Sequence, residues 1–139
     1  MKLINKKYIG FLSVFVFILI AGALLVSGDT KVKQPVSIVQ TVKSSEFINL
    51  LADNSNAILL DVRTPEEYDS GHIKGATNID FRGADFVSEI QKLDKSKTYF
   101  VYCRSGNRSA DAVQIMKENG INNIIELDGG IVSAPELLN

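Results

Sequence analysis

The stretch YCRSGNRSA, at 102–110, places the only cysteine of the chain at the start of a polar loop. An apolar run, TYFVYC at 98–103, ends at Cys103, and a helical pattern begins at about Ser109. A loop between a strand and a helix gathers backbone N–H groups, because the first turn of a helix leaves them unpaired, and the helix dipole adds partial positive charge. Cys103 is therefore expected at a position that binds anions.

Three residues of this loop favour the interpretation of Cys103 as a nucleophile. Gly106 lets the backbone turn without steric cost, and Arg104 and Arg108 add two full positive charges. Such surroundings favour the thiolate, which is the reactive form of the side chain. A Cys–His pair of the protease kind would depend on His72, which is the only histidine. A small buried cysteine without a chemical role is the alternative.

Strand and helix patterns alternate around this loop, which predicts an α/β fold with a parallel sheet covered on both faces. The predicted strands are the apolar runs VSIVQ (36–40), AILLDV (57–62), ATNI (76–79), TYFVYC (98–103) and NIIEL (123–127). The predicted helices are SSEFINLLADN (44–54), TPEEYDSG (64–71), GADFVSEIQKLD (83–94), RSADAVQIMKENG (108–120) and a short one around Pro135–Leu138. Ligands of such sheets bind beyond the carboxyl ends of the strands, which is where Cys103 is expected.

Local signals predict how individual helices begin and which residues they bury. Ser44 or Ser45 is the expected N-cap of the first helix. Thr64 is the expected cap of the second, with Pro65 at the first helical position. The third helix is expected to bury the residues at helical spacing, which are Phe86, Val87, Ile90 and Leu93.

The N-terminal part contains an apolar segment of membrane-spanning length. Residues 8–26 hold no charge and would span roughly 28 Å as a helix, close to the ~30 Å hydrocarbon core of a bilayer. An uncleaved anchor is favoured over a signal peptide cleaved at AGA (21–23). Lys2, Lys6 and Lys7 precede the segment, so the globular part is expected outside the cytoplasm. The predicted division is a signal or anchor segment (1–28), a linker (29–36) and a globular domain (37–139).

Composition argues against two classes of partner. The net charge is −1 and no basic stripe is present, so nothing predicts a nucleic-acid partner. A single cysteine and a single histidine form no cluster of zinc-type ligands, so no metal is predicted. The apolar fraction of 45% is sufficient for a folded core.

Three segments together resemble the rhodanese superfamily. They are the loop CRSGNRS (103–109), the upstream stretch LLDVRTPEEYDSGHIKGATNI (59–79) and the closing segment LDGGI (127–131). They stand in the order of that family, and the similarity covers about residues 36–138. The resemblance implies a rhodanese-like three-layer sandwich, with a five-stranded parallel sheet and helices on both faces.

The resemblance also implies an activity and roles for particular residues. The activity is transfer of a sulfane sulfur from thiosulfate or a related donor to a thiol or cyanide, through a persulfide on Cys103 and without a metal or organic cofactor. Asp61 and Arg63 are expected to support the loop, and His72 to be structural. The persulfide and the anionic donor are expected to be held by Arg104, Ser105, Gly106, Asn107, Arg108 and Ser109, with Ser105 and Asn107 shaping the loop.

Some features leave other functions open. Members of the family often have a tryptophan soon after the paired glycines, and this chain has none. Cysteine phosphatases and arsenate reductases place five residues between cysteine and arginine, whereas four separate Cys103 from Arg108. A phosphatase or arsenate reductase is therefore a weaker alternative. A non-catalytic rhodanese module tethered to the membrane is another, and no feature of the sequence identifies a protein that accepts the sulfur.

Overall fold

The central strands consist of apolar residues that are buried on both faces, as parallel sheets require. The computed structural model describes residues 37–138. Its strands are β1 (Ile38–Val42), β2 (Ile58–Asp61), β3 (Thr77–Asn78), β4 (Tyr99–Tyr102) and β5 (Asn123–Leu127). They form one sheet in the order β1-β5-β4-β2-β3, and every pairing is parallel. The predicted five-stranded parallel sheet is confirmed.

Helices cover both faces of this sheet and complete the three layers. They are α1 (Ser44–Asp53), α2 (Pro65–Asp69), α3 (Phe86–Lys92) and α4 (Asn107–Glu118), followed by two 3-10 turns at Ile131–Ser133 and Pro135–Leu137. One face packs against apolar side chains of α3 and α4, and the other against α1, α2 and the two turns. The rhodanese-like α/β class predicted from the sequence is therefore confirmed.

Strand β4 lies at the centre of the sheet and separates the two cores. Alternate side chains of a strand point to opposite faces. Tyr99 and Val101 accordingly belong to one core, and Phe100 and Tyr102 to the other. Cys103 follows the same alternation and lies on the Val101 side, which is the side of α3 and α4.

The predicted start of α2 is confirmed in detail. The Thr64 hydroxyl accepts a hydrogen bond from the Glu67 amide at 3.4 Å, and the Thr64 amide donates to the Glu67 carboxylate at 3.1 Å. This reciprocal arrangement is a capping box, and Pro65 occupies the first helical position. It fixes the backbone of α2 and directs the Glu67 side chain.

Three local predictions were wrong. The N-cap of α1 is Lys43, which makes no side-chain capping bond, so neither Ser44 nor Ser45 caps that helix. Val87 is 46% exposed, because the short α3 presents Phe86 and Ile90 to the sheet and leaves Val87 on the outer side. Strand β1 lies two residues later than VSIVQ (36–40), because its pairing with β5 sets its register.

The predictions for residues 8–26 and for the linker at 29–36 lie outside the described residues. Between residues 37 and 138, none of the helices has the length and apolar character needed to cross a bilayer.

Candidate active site

Cys103 stands immediately after the central strand, at the carboxyl end of the sheet. Only Arg104, Ser105 and Gly106 separate it from α4, which begins at Asn107, two residues earlier than predicted. Its side chain is almost fully buried, with 1% exposed. The thiol therefore lies at the base of the loop, almost entirely shielded from solvent.

The loop backbone donates directly to the sulfur. The Gly106 N–H lies 3.1 Å from the Cys103 Sγ. Gly106 has φ +97°, a conformation that L side chains rarely adopt. This conformation turns the backbone around the sulfur just before α4, whose first-turn amides have no intrahelical acceptors. The arrangement stabilises negative charge on the sulfur or on a group bound to it.

The segment that follows β5 holds the loop after Cys103 in place through backbone hydrogen bonds. The Ile131 amide donates to the Cys103 carbonyl oxygen at 2.9 Å, and the Val132 amide donates to the Arg104 carbonyl oxygen at 3.1 Å. A Cβ placed on Gly130 would lie 2.6 Å from Arg104 C and from Ser105 N. Only glycine fits at this position, because any side chain would overlap the Arg104–Ser105 peptide.

Arg108 makes a two-bond ion pair with Glu67. Its guanidinium nitrogens lie 2.6 and 2.9 Å from the two carboxylate oxygens. The hydrogen bond from Arg108 lowers the pKa of Glu67 to about 2, and the same carboxylate raises the pKa of Arg108. The pair joins α2 to the start of α4. Arg108 was predicted to bind the anion, and that role stays a prediction. Its guanidinium is paired with Glu67 and also lines the cleft described below.

Ser109 connects the loop to a buried carboxylate. Its hydroxyl donates to the Glu126 carboxylate at 2.6 Å, and the hydroxyl of Thr41 donates to the second carboxylate oxygen at 2.9 Å. Glu126 is only 7% exposed, and Ser109 is fully buried. The Ser109 side chain therefore faces the protein interior, and only its backbone is suited to an anion in the loop.

Asp61 and Arg63 form a buried ion pair at the end of β2. Arg63 donates to Asp61 at 2.6–2.9 Å and to the Gly71 carbonyl at 2.8 Å. Its guanidinium lies 5.5 Å from the centre of the Tyr102 ring. Among residues 37–138, the side-chain hydrogen bonds of this pair extend to Gly71 and not to the loop after Cys103. The pair thus stabilises the neighbouring turn.

His72 lies with Tyr68 rather than with the thiol. Its Nδ1 is 3.0 Å from the Tyr68 carbonyl oxygen, a contact in which Nδ1 carries a hydrogen and donates it. The two rings are stacked, with centroids 3.8 Å apart. These contacts agree with the structural role predicted for His72.

A surface cleft of about 480 Å³ opens beside the loop. It is lined by polar and charged residues from three elements: Thr64, Glu67, Arg82, Arg104, Ser105, Asn107 and Arg108. Within residues 37–138, no cluster of histidine, cysteine and carboxylate side chains is suited to hold a metal ion. The site therefore consists of a buried thiol with one backbone N–H donor, the start of α4 and a cationic cleft.

Sequence reasoning did not identify Glu67, Arg82 or Glu126 as parts of the site. Glu67 lies in the first turn of α2, where an acidic residue is ordinary, so its type and position did not mark it as a site residue. A signal for Glu126 existed, because a glutamate inside the apolar run NIIEL is unusual in a buried strand. No comparable signal distinguished Arg82.

Comparison with known proteins gives a consistent set of matches. The family model described as rhodanese-like domain matches residues 44–134. The chain is 34% identical over 93 residues to the probable adenylyltransferase/sulfurtransferase MoeZ of Mycobacterium tuberculosis, a match that covers 67% of this chain and 24% of MoeZ. It is 30% identical over 95 residues to a sulfurtransferase of Allochromatium vinosum, covering 68% of this chain and 87% of that protein.

A solved structure agrees with these matches. The crystal structure of a rhodanese-related protein from Thermoplasma volcanium superposes with a TM-score of 0.61 at 31% identity, covering 70% of this chain and 92% of that one. The chain spans only about a quarter of the length of MoeZ. The likeness to MoeZ therefore concerns one domain of that larger protein.

Proposed function

The chain belongs to the rhodanese-like domain family, and from that membership we propose that it is a sulfurtransferase acting through a persulfide on Cys103. The observation that supports this most directly is the Gly106 N–H at 3.1 Å from the Cys103 Sγ, at the start of a 12-residue helix. This N–H donor and the start of the helix are placed where negative charge would develop on a group bound to the sulfur, which suits a nucleophilic cysteine.

In the first step the Cys103 thiolate attacks the outer sulfur of a donor such as thiosulfate. A bond forms between the two sulfurs, and the S–S bond of the donor breaks. Sulfite leaves with that electron pair, and the negative charge remains on the outer sulfur of the persulfide. The amides of the loop are suited to stabilise this charge, because donors fixed in advance need no reorganisation.

In the second step the sulfur passes to an acceptor. A thiol gives its proton to the outer sulfur of the persulfide, and the resulting thiolate attacks that sulfur. The Cys103 S–S bond breaks, and its electron pair returns to Cys103 as the thiolate. The product is a persulfide of the acceptor. This two-step covalent route leads to ping-pong kinetics.

Mass spectrometry of the full-length chain tests this proposal. Exposure to thiosulfate is expected to add the mass of one sulfur atom to Cys103, and cyanide or dithiothreitol is expected to remove it. Cys103→Ser should show no addition, because an alcohol forms no persulfide. Mercaptopyruvate, glutathione persulfide and an aryl phosphate should be assayed in parallel. Hydrolysis of the phosphate without sulfur loading would favour the phosphatase, and no reaction at all would favour a non-catalytic module.

We also propose that residues 8–26 attach the domain to a membrane and that it lies on the extracytoplasmic side. The support is the uncharged segment with lysines before it. Protease added to intact spheroplasts should then digest residues 37–139. Digestion only after lysis would contradict the orientation. A shortened mature protein would indicate a cleaved signal peptide instead of an anchor.

A further inference from the structure

Two exposed arginines of the cleft make no salt bridge within residues 37–138. Arg82 belongs to the connection between β3 and α3, and Arg104 to the loop after Cys103. The four salt bridges of this part of the chain involve neither of them. The Asp80 carboxylate accepts the backbone N–H of Arg82 at 2.9 Å and so fixes the turn. We call Arg82 and Arg104 the arginine rim.

The charge of the cleft is concentrated on this rim. The charged lining residues are three arginines and one glutamate, hence a formal charge of +2. Glu67 is bound to Arg108 and offsets its charge, so the excess belongs to Arg82 and Arg104. The chain as a whole has a net charge of −1, so a generally basic surface does not account for the rim. Neighbouring like charges repel, and a bound anion relieves that repulsion.

The chemistry of the rim suits anions that present two neighbouring oxygens, as carboxylates and phosphates do. A guanidinium presents parallel N–H donors that match the two oxygens of a carboxylate. The rim combines two guanidinium groups, that of Arg104 from the loop after Cys103 and that of Arg82 from the connection between β3 and α3. A cleft of about 480 Å³ also exceeds the needs of a small inorganic anion, since one water molecule occupies roughly 30 Å³ of liquid. Thiosulfate at the loop amides would leave most of it free.

We propose that the arginine rim binds the carboxylate groups of the sulfur acceptor, and that this acceptor is a low-molecular-weight thiol bearing carboxylates. The assignment rests on the proposed sulfurtransferase function. In it, Arg82 determines acceptor specificity without touching the transferred sulfur, whereas Cys103 performs the transfer. The bonds made and broken are those of the second step described above, with the carboxylates unchanged.

Steady-state kinetics with matched acceptors tests this assignment. The full-length chain is assayed at saturating thiosulfate with 2-mercaptoethanol, 3-mercaptopropionate and mercaptosuccinate, which bear no, one and two carboxylates. The KM of Arg82→Gln is divided by that of the wild type for each thiol, so the intrinsic reactivity of the thiol cancels. We expect the ratio to increase with the number of carboxylates, to about fivefold for mercaptosuccinate, as for an exposed ion pair.

A matched control and a charge reversal complete the design. Lys117 is in the last turn of α4, ~15 Å along the helix from the loop, so Lys117→Gln should leave all three ratios near one. Arg82→Glu should reverse the preference and favour 2-mercaptoethanol. Equal ratios for the three thiols, or a change in the thiosulfate KM alone, would overturn the assignment while leaving the sulfurtransferase intact. Failure of the wild type to load sulfur onto Cys103 from any donor would overturn both, whereas loading that only cyanide removes would overturn the acceptor assignment alone.

Discussion

Replacing Glu67 with glutamine should destabilise the protein by an amount that depends on pH. Lowering the pKa of Glu67 from 4.5 to about 2 corresponds to roughly 3 kcal/mol of favourable interaction with the charged carboxylate. The Glu67 side chain is 29% exposed and that of Arg108 is 15% exposed, so water screens the pair. We therefore expect Glu67→Gln to lower the free energy of unfolding by about 1–2 kcal/mol at pH 7.

The sign of the pH dependence follows from the lowered pKa. Because the folded value of about 2 lies below the unfolded value of 4.5, the stabilisation is present above about pH 4.5. It is lost as the pH falls through the folded value, where the carboxyl is protonated in both states. The difference between wild type and Glu67→Gln should therefore shrink steadily between pH 4.5 and 2.

Urea unfolding of both proteins at several pH values measures this difference. Glu136→Gln is the matched control, because Glu136 is exposed and forms no salt bridge among residues 37–138. Its effect on the free energy of unfolding should be small. The reasoning is refuted if Glu67→Gln lowers the free energy of unfolding by the same amount at pH 3 and at pH 7, or by no more than Glu136→Gln does. Either result would mean that the ion pair contributes little in solution.

Three further substitutions test other parts of the site. Gly130→Ala should lower the melting temperature and sulfur loading, because its Cβ would lie 2.6 Å from the loop backbone. The control is Gly75→Ala, because Gly75 has φ +86° but no atom within 4 Å of the added Cβ. It should lower the free energy of unfolding by only about 1 kcal/mol. Equal costs would contradict the close approach. Glu126→Ala should cost about 1–3 kcal/mol in urea unfolding by removing the hydrogen bonds that the Ser109 and Thr41 hydroxyls donate to a charged group. A neutral result would mean that water and the Gly106 carbonyl oxygen, 2.9 Å from the Ser109 hydroxyl, replace the carboxylate. Folded His72→Asn should keep most of the turnover, and a loss as large as in Cys103→Ser would indicate a Cys–His mechanism.

Features set by neighbouring residues could be predicted from the sequence. The capping box of Thr64 and Glu67 spans three residues, so the local pattern determines it. The apolar run TYFVYC likewise indicated a buried strand, and therefore the position of Cys103 at the carboxyl end of the sheet. The prediction for α1 failed because its preceding residue, Lys43, is extended and makes no capping bond, although two serines follow it.

Features formed by distant residues could not be predicted. Arg108 and Glu67 are 41 positions apart, and Thr41 and Glu126 are 85 apart. Their pairing depends on how helices and strands pack, which no local pattern describes. For this reason the ion pair of Arg108 with Glu67 was not predicted from the sequence. The position of Arg82 beside the cleft depends on tertiary structure in the same way.

The hydrogen bonds between the loop after Cys103 and the turn after β5 restrict how this site can evolve or be redesigned. The loop after Cys103 and the turn after β5 are joined through the Ile131 and Val132 amides, and a Cβ on Gly130 would lie 2.6 Å from the loop backbone. Inserting one residue before Gly106 would shift the loop against this turn. A longer loop, suited to a phosphate-sized group, therefore requires a compensating change at 129–132. The length of the loop after Cys103 therefore cannot be changed independently when this site is redesigned for a larger anion.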